Sequence, residues 1–164
     1  MTQLTTKQIE EAIVYNWLGD MSRYTIIPHL GFGLLNHEAD LAIIDQHGCL
    51  TEIEIKRSLA DLRADFKKDV FHCDEHVYRF WYCLPLAIKD KAYEVFDQHQ
   101  DKINKLLGVK EYRRPAVLLF GETGKFTCEG DARTSGRVLT LEERVRALRL
   151  MSIKYWDLRM RENG

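Results

Sequence analysis

Apolar residues recur at two different periods along this chain, and the switches between the periods mark out its elements. Ile9, Ile13 and Trp17 step by four, which puts them on one face of a helix that Thr5 and Gln8 can open as a capping box and Gly19 can end. Residues 24–30 then read as a strand, closed by the turn Gly31-Phe32-Gly33. Two strand-like runs follow, residues 39–44 and 50–56, and the turn chemistry of Asp45-Gln46-His47-Gly48 between them folds the second back antiparallel on the first. Leu59, Leu62, Phe66 and Val70 return to helical spacing and are expected to lie on the sheet, leaving Asp61, Asp65 and Lys68 on another face. Residues 79–84 make a buried strand. Ile88, Ala92, Val95, His99, Ile103 and Leu106 form one long helical stripe that Gly108 can terminate, with His99 as a core histidine. Residues 115–120 read as a further strand, 121–127 as a turn into a short hairpin arm, and Leu141, Val145, Leu148, Met151, Tyr155 and Leu158 as the stripe of a final helix. The expected fold is α/β, of the α+β kind: helix, three strands, helix, strand, with an additional C-terminal helix. One domain over residues 1–164 is the economical organisation, with a core over about 5–120 and the hairpin and helix over about 121–161.

Composition narrows the class without choosing a function. A chain of 164 residues that is 45% hydrophobic and 30% charged can build a real core, which argues against disorder. A formal net charge of -1 lacks the global basic signature of a tight non-specific DNA binder. The charge is uneven, however: from residue 133 onward, eight Arg or Lys stand against four Asp or Glu. Arg144, Arg146 and Arg149 lie off the final apolar stripe, on a face that is either solvated or a DNA-contacting or dimerising arm, so a homodimer is one candidate assembly. Cys49, Cys73, Cys83 and Cys128 form no C-x-x-C and no secretory apolar segment precedes them, so reduced thiols in a cytoplasmic protein are expected. No stretch approaches the roughly 20 apolar residues that cross a bilayer, and no membrane partner is expected. His72, Cys73, His76 and Cys83 include the ligand types of a zinc site, but Cys83 falls in an aromatic strand where a buried free cysteine is commonplace.

The chemistry concentrates between residues 38 and 68. In Glu52-Ile53-Glu54-Ile55-Lys56 the side-chain period of two puts Glu52, Glu54 and Lys56 on one strand face and Ile53 and Ile55 on the other. The plain reading is the solvated face of an antiparallel sheet. Asp40 argues for more, because an acid within the otherwise apolar run 39–44 is costly unless it is paired or binds a cation. Ser58-Leu59-Ala60-Asp61 starts a helix at the end of the same strand, where anions are favoured. Two carboxylates and an ammonium therefore converge at one end of a strand pair.

Asp40, followed after thirteen intervening residues by Glu54-Ile55-Lys56, resembles the D-x(n)-(D/E)-x-K signature of the PD-(D/E)XK nuclease superfamily. The continuation through Ser58, Asp61, Asp65 and Lys68, and later Arg79-Phe80-Trp81-Tyr82-Cys83-Leu84-Pro85, is similar to its MmcB-like branch of DNA-repair nucleases. The likeness spans roughly residues 9–120. Ala39 stands where the eponymous proline would be, and the C-terminal helix is outside the likeness. The resemblance implies a restriction-endonuclease-like αβββαβ core, a central mixed sheet flanked by helices, and a metal-dependent deoxyribonuclease acting on DNA, in repair or restriction. It implies Asp40 and Glu54, with the backbone carbonyl of Ile55, as ligands of Mg2+ (or Mn2+), and Lys56 as the residue that either orients the attacking water or neutralises developing charge. Glu10 or Glu11 of the first helix is the candidate accessory acid. Glu52 either takes a second metal or pairs with a surface lysine. Ser58, Lys67 and Lys68 are candidate phosphate contacts. The alternative is a nucleic-acid-binding or regulatory protein that has the fold and does not cleave.

Overall fold

Thr5 opens the first helix as its spacing to Gln8 requires: the Gln8 N–H donates to Thr5 Oγ1 (3.2 Å) and the Thr5 N–H to Gln8 Oε1 (2.9 Å). This helix, α1 (Thr6–Ala12), widens to π geometry over Ile13–Leu18 and stops at Gly19, where φ is 71°. The computed structural model describes residues 4–69, 71–121 and 123–162. Val70 and the Leu158 side chain, both assigned to apolar stripes from the sequence, lie outside what is described.

Three antiparallel strands follow, β1 (Tyr24–Leu30), β2 (Ala39–Asp45) and β3 (Leu50–Ile55), in a register that pairs Ile26 with Ile43 and Leu41 with Ile53. Asp45 makes the β2–β3 turn by accepting from the N–H groups of His47 (2.9 Å) and Cys49 (3.0 Å). Helix α2 (Leu59–Asp65) then carries the chain to β4 (Val77–Pro85), which lies parallel to β3. After a 3-10 turn over Leu86–Ile88, α3 (Lys89–Gln98) and α4 (Gln100–Leu107) lead to β5 (Ala116–Phe120), parallel to β4, and β6 (Phe126–Glu129) closes the edge antiparallel. The result is a mixed six-stranded sheet in the order β1-β2-β3-β4-β5-β6, with helices on both faces and α5 (Leu141–Glu162) at the end of the chain.

Strand alternation divides the core in two. Leu41, Ile43, Ile53 and Ile55 pack with Ile9 and Ile13 on the α1 side. Leu50, Phe80 and Tyr82 pack with Leu62, Phe66 and Phe96 on the side of α2 and α3. This division dismantles the four-residue zinc set, because Cys83 faces the α1 side while His72 packs against Phe80 and Tyr82 on the other. The cysteines are free. No helix among the described residues is long and apolar enough to cross a membrane.

Two expectations change. The stripe from Ile88 to Leu106 is not one helix: the backbone breaks at His99 (φ -122°, ψ 38°), whose ring stacks on Phe66 at 4.5 Å. Residue Gly108 ends α4 in the left-handed region as expected. In α5 Leu141, Val145, Leu148 and Tyr155 of the anticipated stripe face outward, with Leu141 75% and Tyr155 52% exposed, while Met151 of that stripe joins Ala147 and Leu150 in contact with the core. Close approach decides this: Ala147 is small, and Leu150 lies against Gly33, where an added Cβ would stand 3.5 Å from it. Arg146 and Arg149 are exposed and Arg144 is half-buried.

Candidate metal and catalytic centre

The charged face of β3 is not solvated. Glu52, Glu54 and Lys56 are 0%, 2% and 4% exposed, because the parallel crossover through α2 covers the side of the sheet that an isolated hairpin would leave wet. Continuing the β2–β3 register one step beyond Leu41–Ile53 sets Asp40 across from Glu54. The Ile55 N–H donates to Asp40 Oδ2 (2.8 Å), which ties that carboxylate to the end of β3. Lys56 Nζ donates to Glu54 Oε1 (2.6 Å) and to Asp65 Oδ1 (2.9 Å).

Asp65 is the residue that sequence reasoning misplaced. Far from lying on a free helix face, it is 1% exposed and is surrounded by donors: Lys56, Lys68 Nζ (2.7 Å), His72 Nε2 (2.8 Å) and the Tyr82 hydroxyl (3.0 Å). Tyr82 is also an addition, with no local signal that separates it from an ordinary core residue, and His72, which the sequence offered only as part of a four-residue zinc set, belongs to this centre instead. Lys68, half exposed, closes the mouth and stands 3.7 Å from Glu54 Oε1. Ser58 caps α2 by accepting from the Asp61 N–H (3.1 Å), and Lys67 points to solvent.

The carboxylates here fall into two electrostatic groups. Burial pushes Asp65 up, but His72, Lys56 and Lys68 outweigh it and hold the acid well below its usual range. Glu52 is likewise lowered against its burial by His37 and His72. Asp40 and Glu54 behave in the opposite way. Burial raises Asp40 despite the Ile55 N–H and the Lys56 charge. Burial raises Glu54 too, His72 and Lys56 oppose it, and the neighbouring Asp40 and Asp65 add to the rise. Among the described residues, Glu54 Oε2 is buried with no hydrogen-bond partner. These two acids are underserved by protein cations, and an all-oxygen donor set with an orphaned oxygen suits a hard divalent ion.

Lys56 is the reverse case. Burial opposes its charge, but Glu54 and Asp65 prevail and hold the ammonium above its ordinary range. Of the two candidate acids on α1, Glu11 is exposed, whereas Glu10 is half-buried, raised first by burial, and 3.7 Å from His29 Nε2. His29 adopts φ 51°, uncommon for a non-glycine residue, and its ring lies between Glu10 and Glu38. Glu52 meets no surface lysine. It is bound by two histidines inside the protein, His37 Nε2 at 2.9 Å and His72 Nδ1 at 2.9 Å. An open cleft of about 510 Å³ at the other end of the strands, where Asp45 and Arg79 pair at 3.3 Å, is separate from this centre.

His72 sets an alkaline limit on the metal-free fold. Burial disfavours its imidazolium, yet Asp65 and Glu52 push it from 6.5 up to about 10. A raised folded value means that this stabilisation is complete below pH 6.5 and is lost as pH climbs toward about 10. In a chelating buffer, urea unfolding should therefore give falling stability across that window, and His72→Gln should flatten the fall. A parent protein whose stability is level there would show that His72 is not held as a cation.

No protein-family profile matches the chain, and no curated protein does. A protein of unknown function from Silicibacter pomeroyi has a similar solved structure, with a TM-score of 0.56 and 17% identity over 99% of this chain and 97% of that one. At that identity the likeness concerns the fold alone.

Proposed function

We propose that this protein is a metal-dependent nuclease that hydrolyses phosphodiester bonds in DNA, with a PD-(D/E)XK-type centre on a restriction-endonuclease-like core. The observation that carries this reading is the pair Asp40 and Glu54: two converging carboxylates raised by burial, one with an orphaned oxygen, beside a lysine held charged. Asp40, Glu54 and the carbonyl of Ile55 would hold Mg2+ or Mn2+. Such an ion supplies a polarised phosphoryl oxygen and an acidified water. Within this reading Lys56 is a fixed cation beside the phosphate and not a base, since deprotonating it would strand Glu54 and Asp65. Lys68, half exposed at the mouth, is placed to exchange Asp65 for a substrate phosphate. Glu10 is the accessory acid of choice over Glu11.

Cleavage of plasmid, linear and single-stranded DNA should appear on adding Mg2+ or Mn2+ and vanish with chelator. One observation favours the non-cleaving alternative: Glu54 and Lys56 are almost wholly covered, so substrate must displace Lys68 to reach them. Stoichiometric Mg2+ or Mn2+ binding without turnover on any of the three substrates would select that alternative.

A further inference from the structure

His37, Glu52 and His72 come from three separate segments: the loop after β1, the middle of β3 and the loop after α2. All three are nine-tenths buried or more, at 8%, 0% and 3% exposure. His37 Nε2 lies 2.9 Å from both Glu52 oxygens, and His72 Nδ1 lies 2.9 Å from Glu52 Oε1 without the alignment of a hydrogen bond.

The far side of each ring determines what its near nitrogen offers. Asn36 Nδ2 donates to the carbonyl of Cys73 (2.9 Å), so the amide atom facing His37 Nδ1 at 2.7 Å is the oxygen, which can only accept. His37 Nδ1 therefore carries a proton. His72 Nε2 faces the carboxylate Oδ2 of Asp65 at 2.8 Å and must donate as well. In the neutral rings, His37 Nε2 and His72 Nδ1 are then lone pairs aimed at a carboxylate, three acceptors converging in a dry interior. That arrangement calls for a cation between them, a proton on His72 in the metal-free fold or a metal ion. Protons on both rings would set two buried cations with centroids 5.1 Å apart, with Glu52 alone between them and Asp65 answering only the far nitrogen of His72. One divalent ion answers all three lone pairs at once. Ligand atoms at about 2.0–2.1 Å from zinc stand roughly 3 Å from each other, as each nitrogen here does from the Glu52 oxygen it faces, and the three ligand atoms all lie within 4.8 Å of one another. The Asn36 and Asp65 contacts are the outer hydrogen bonds that orient metal-ligating histidines.

We propose that His37, Glu52 and His72 bind one divalent cation of the Zn2+ class, as a buried three-residue site that clamps the loops after β1 and α2 to β3. Two nitrogens and a carboxylate select a borderline ion over Mg2+, which separates this site from the all-oxygen set at Asp40 and Glu54. The clamp reinforces existing ties, since the Asn36 N–H already donates to Asp74 Oδ2 (2.8 Å). The proposal does not rest on the nuclease reading.

Chelator-stripped protein titrated with Zn2+ by calorimetry, and with Co2+ by visible absorption, tests it directly. One equivalent is expected per chain, with a rise in Tm. Asn36→Ala should weaken affinity by about 10- to 100-fold, His37→Gln should lose the site, and Asp40→Asn should retain it. Circular dichroism checks that each variant folds, and the titration of unaltered protein stands whether or not they do. No stoichiometric Zn2+ in the unaltered protein overturns the proposal. So does binding that His37→Gln retains, or binding that Asp40→Asn abolishes and His37→Gln does not.

Discussion

On the proposed nuclease function, Glu54→Gln is expected to abolish metal-dependent DNA cleavage while leaving the metal-free protein as stable as before, or more so. The catalytic loss follows from removing an anionic ligand, and on the order of a thousandfold corresponds to about 4 kcal/mol of transition-state stabilisation. The stability result follows from crowding. Glu54 is raised above its ordinary value by burial and by the nearby Asp40 and Asp65, so its ionisation opposes folding at neutral pH. The amide removes that charge and still offers Lys56 an acceptor. Cleavage rates with Mg2+ and urea midpoints in chelator measure the two effects. Turnover at the parental rate would remove Glu54 from the metal ligands. A large fall in stability would show instead that Lys56 and His72 fully compensate the carboxylate.

Lys56→Met is expected to lose both turnover and stability. The ammonium lies 2.6 Å from Glu54 and 2.9 Å from Asp65, and deleting one partner of a buried ion pair costs about 3–5 kcal/mol because the other charge stays behind. Lys68 and His72 remain close to Asp65, which favours the lower end of that range. A lysine on a solvated strand face would change stability by only about 0.5 kcal/mol. The deficit should shrink on acidification, since protonating Glu54 removes one stranded charge, and its raised value makes that happen earlier than for an ordinary glutamate. Denaturant midpoints of parent and variant at several pH values measure this. A pH-independent difference would point to lost packing by the lysine stem and not to lost charge.

These contrasting expectations arise from residues that the sequence pattern had treated alike. Alternation in residues 52–56 put Glu52, Glu54 and Lys56 on one face of β3, and the structure keeps them there. It then gives each a different environment: histidines around Glu52, an orphaned oxygen on Glu54, two carboxylates on Lys56. The pattern also marked Asp40 as an acid in an apolar strand, but not that Ile55 N–H would hold it. Glu10 and Glu11 were inseparable by spacing and are separated only by which side of α1 meets the sheet.

By itself the sequence determined the elements whose signals are local. The capping box at Thr5 and Gln8, the Asp45 turn, the strand periods, Ser58 at the start of α2 and Gly108 at the end of α4 depend on backbone geometry within a few residues. Tertiary structure alone decided that β3 is covered on both faces, that Asp65 and His72 turn inward, that the chain breaks at His99, and that Ala147 and not Leu148 packs from α5. Each of these depends on a partner distant in sequence, such as Tyr82 for Asp65 or Glu52 for His72. A hydrophobic or polar period states which residues share a face, but the desolvation and the charges that give a face its chemistry come from whatever packs against it.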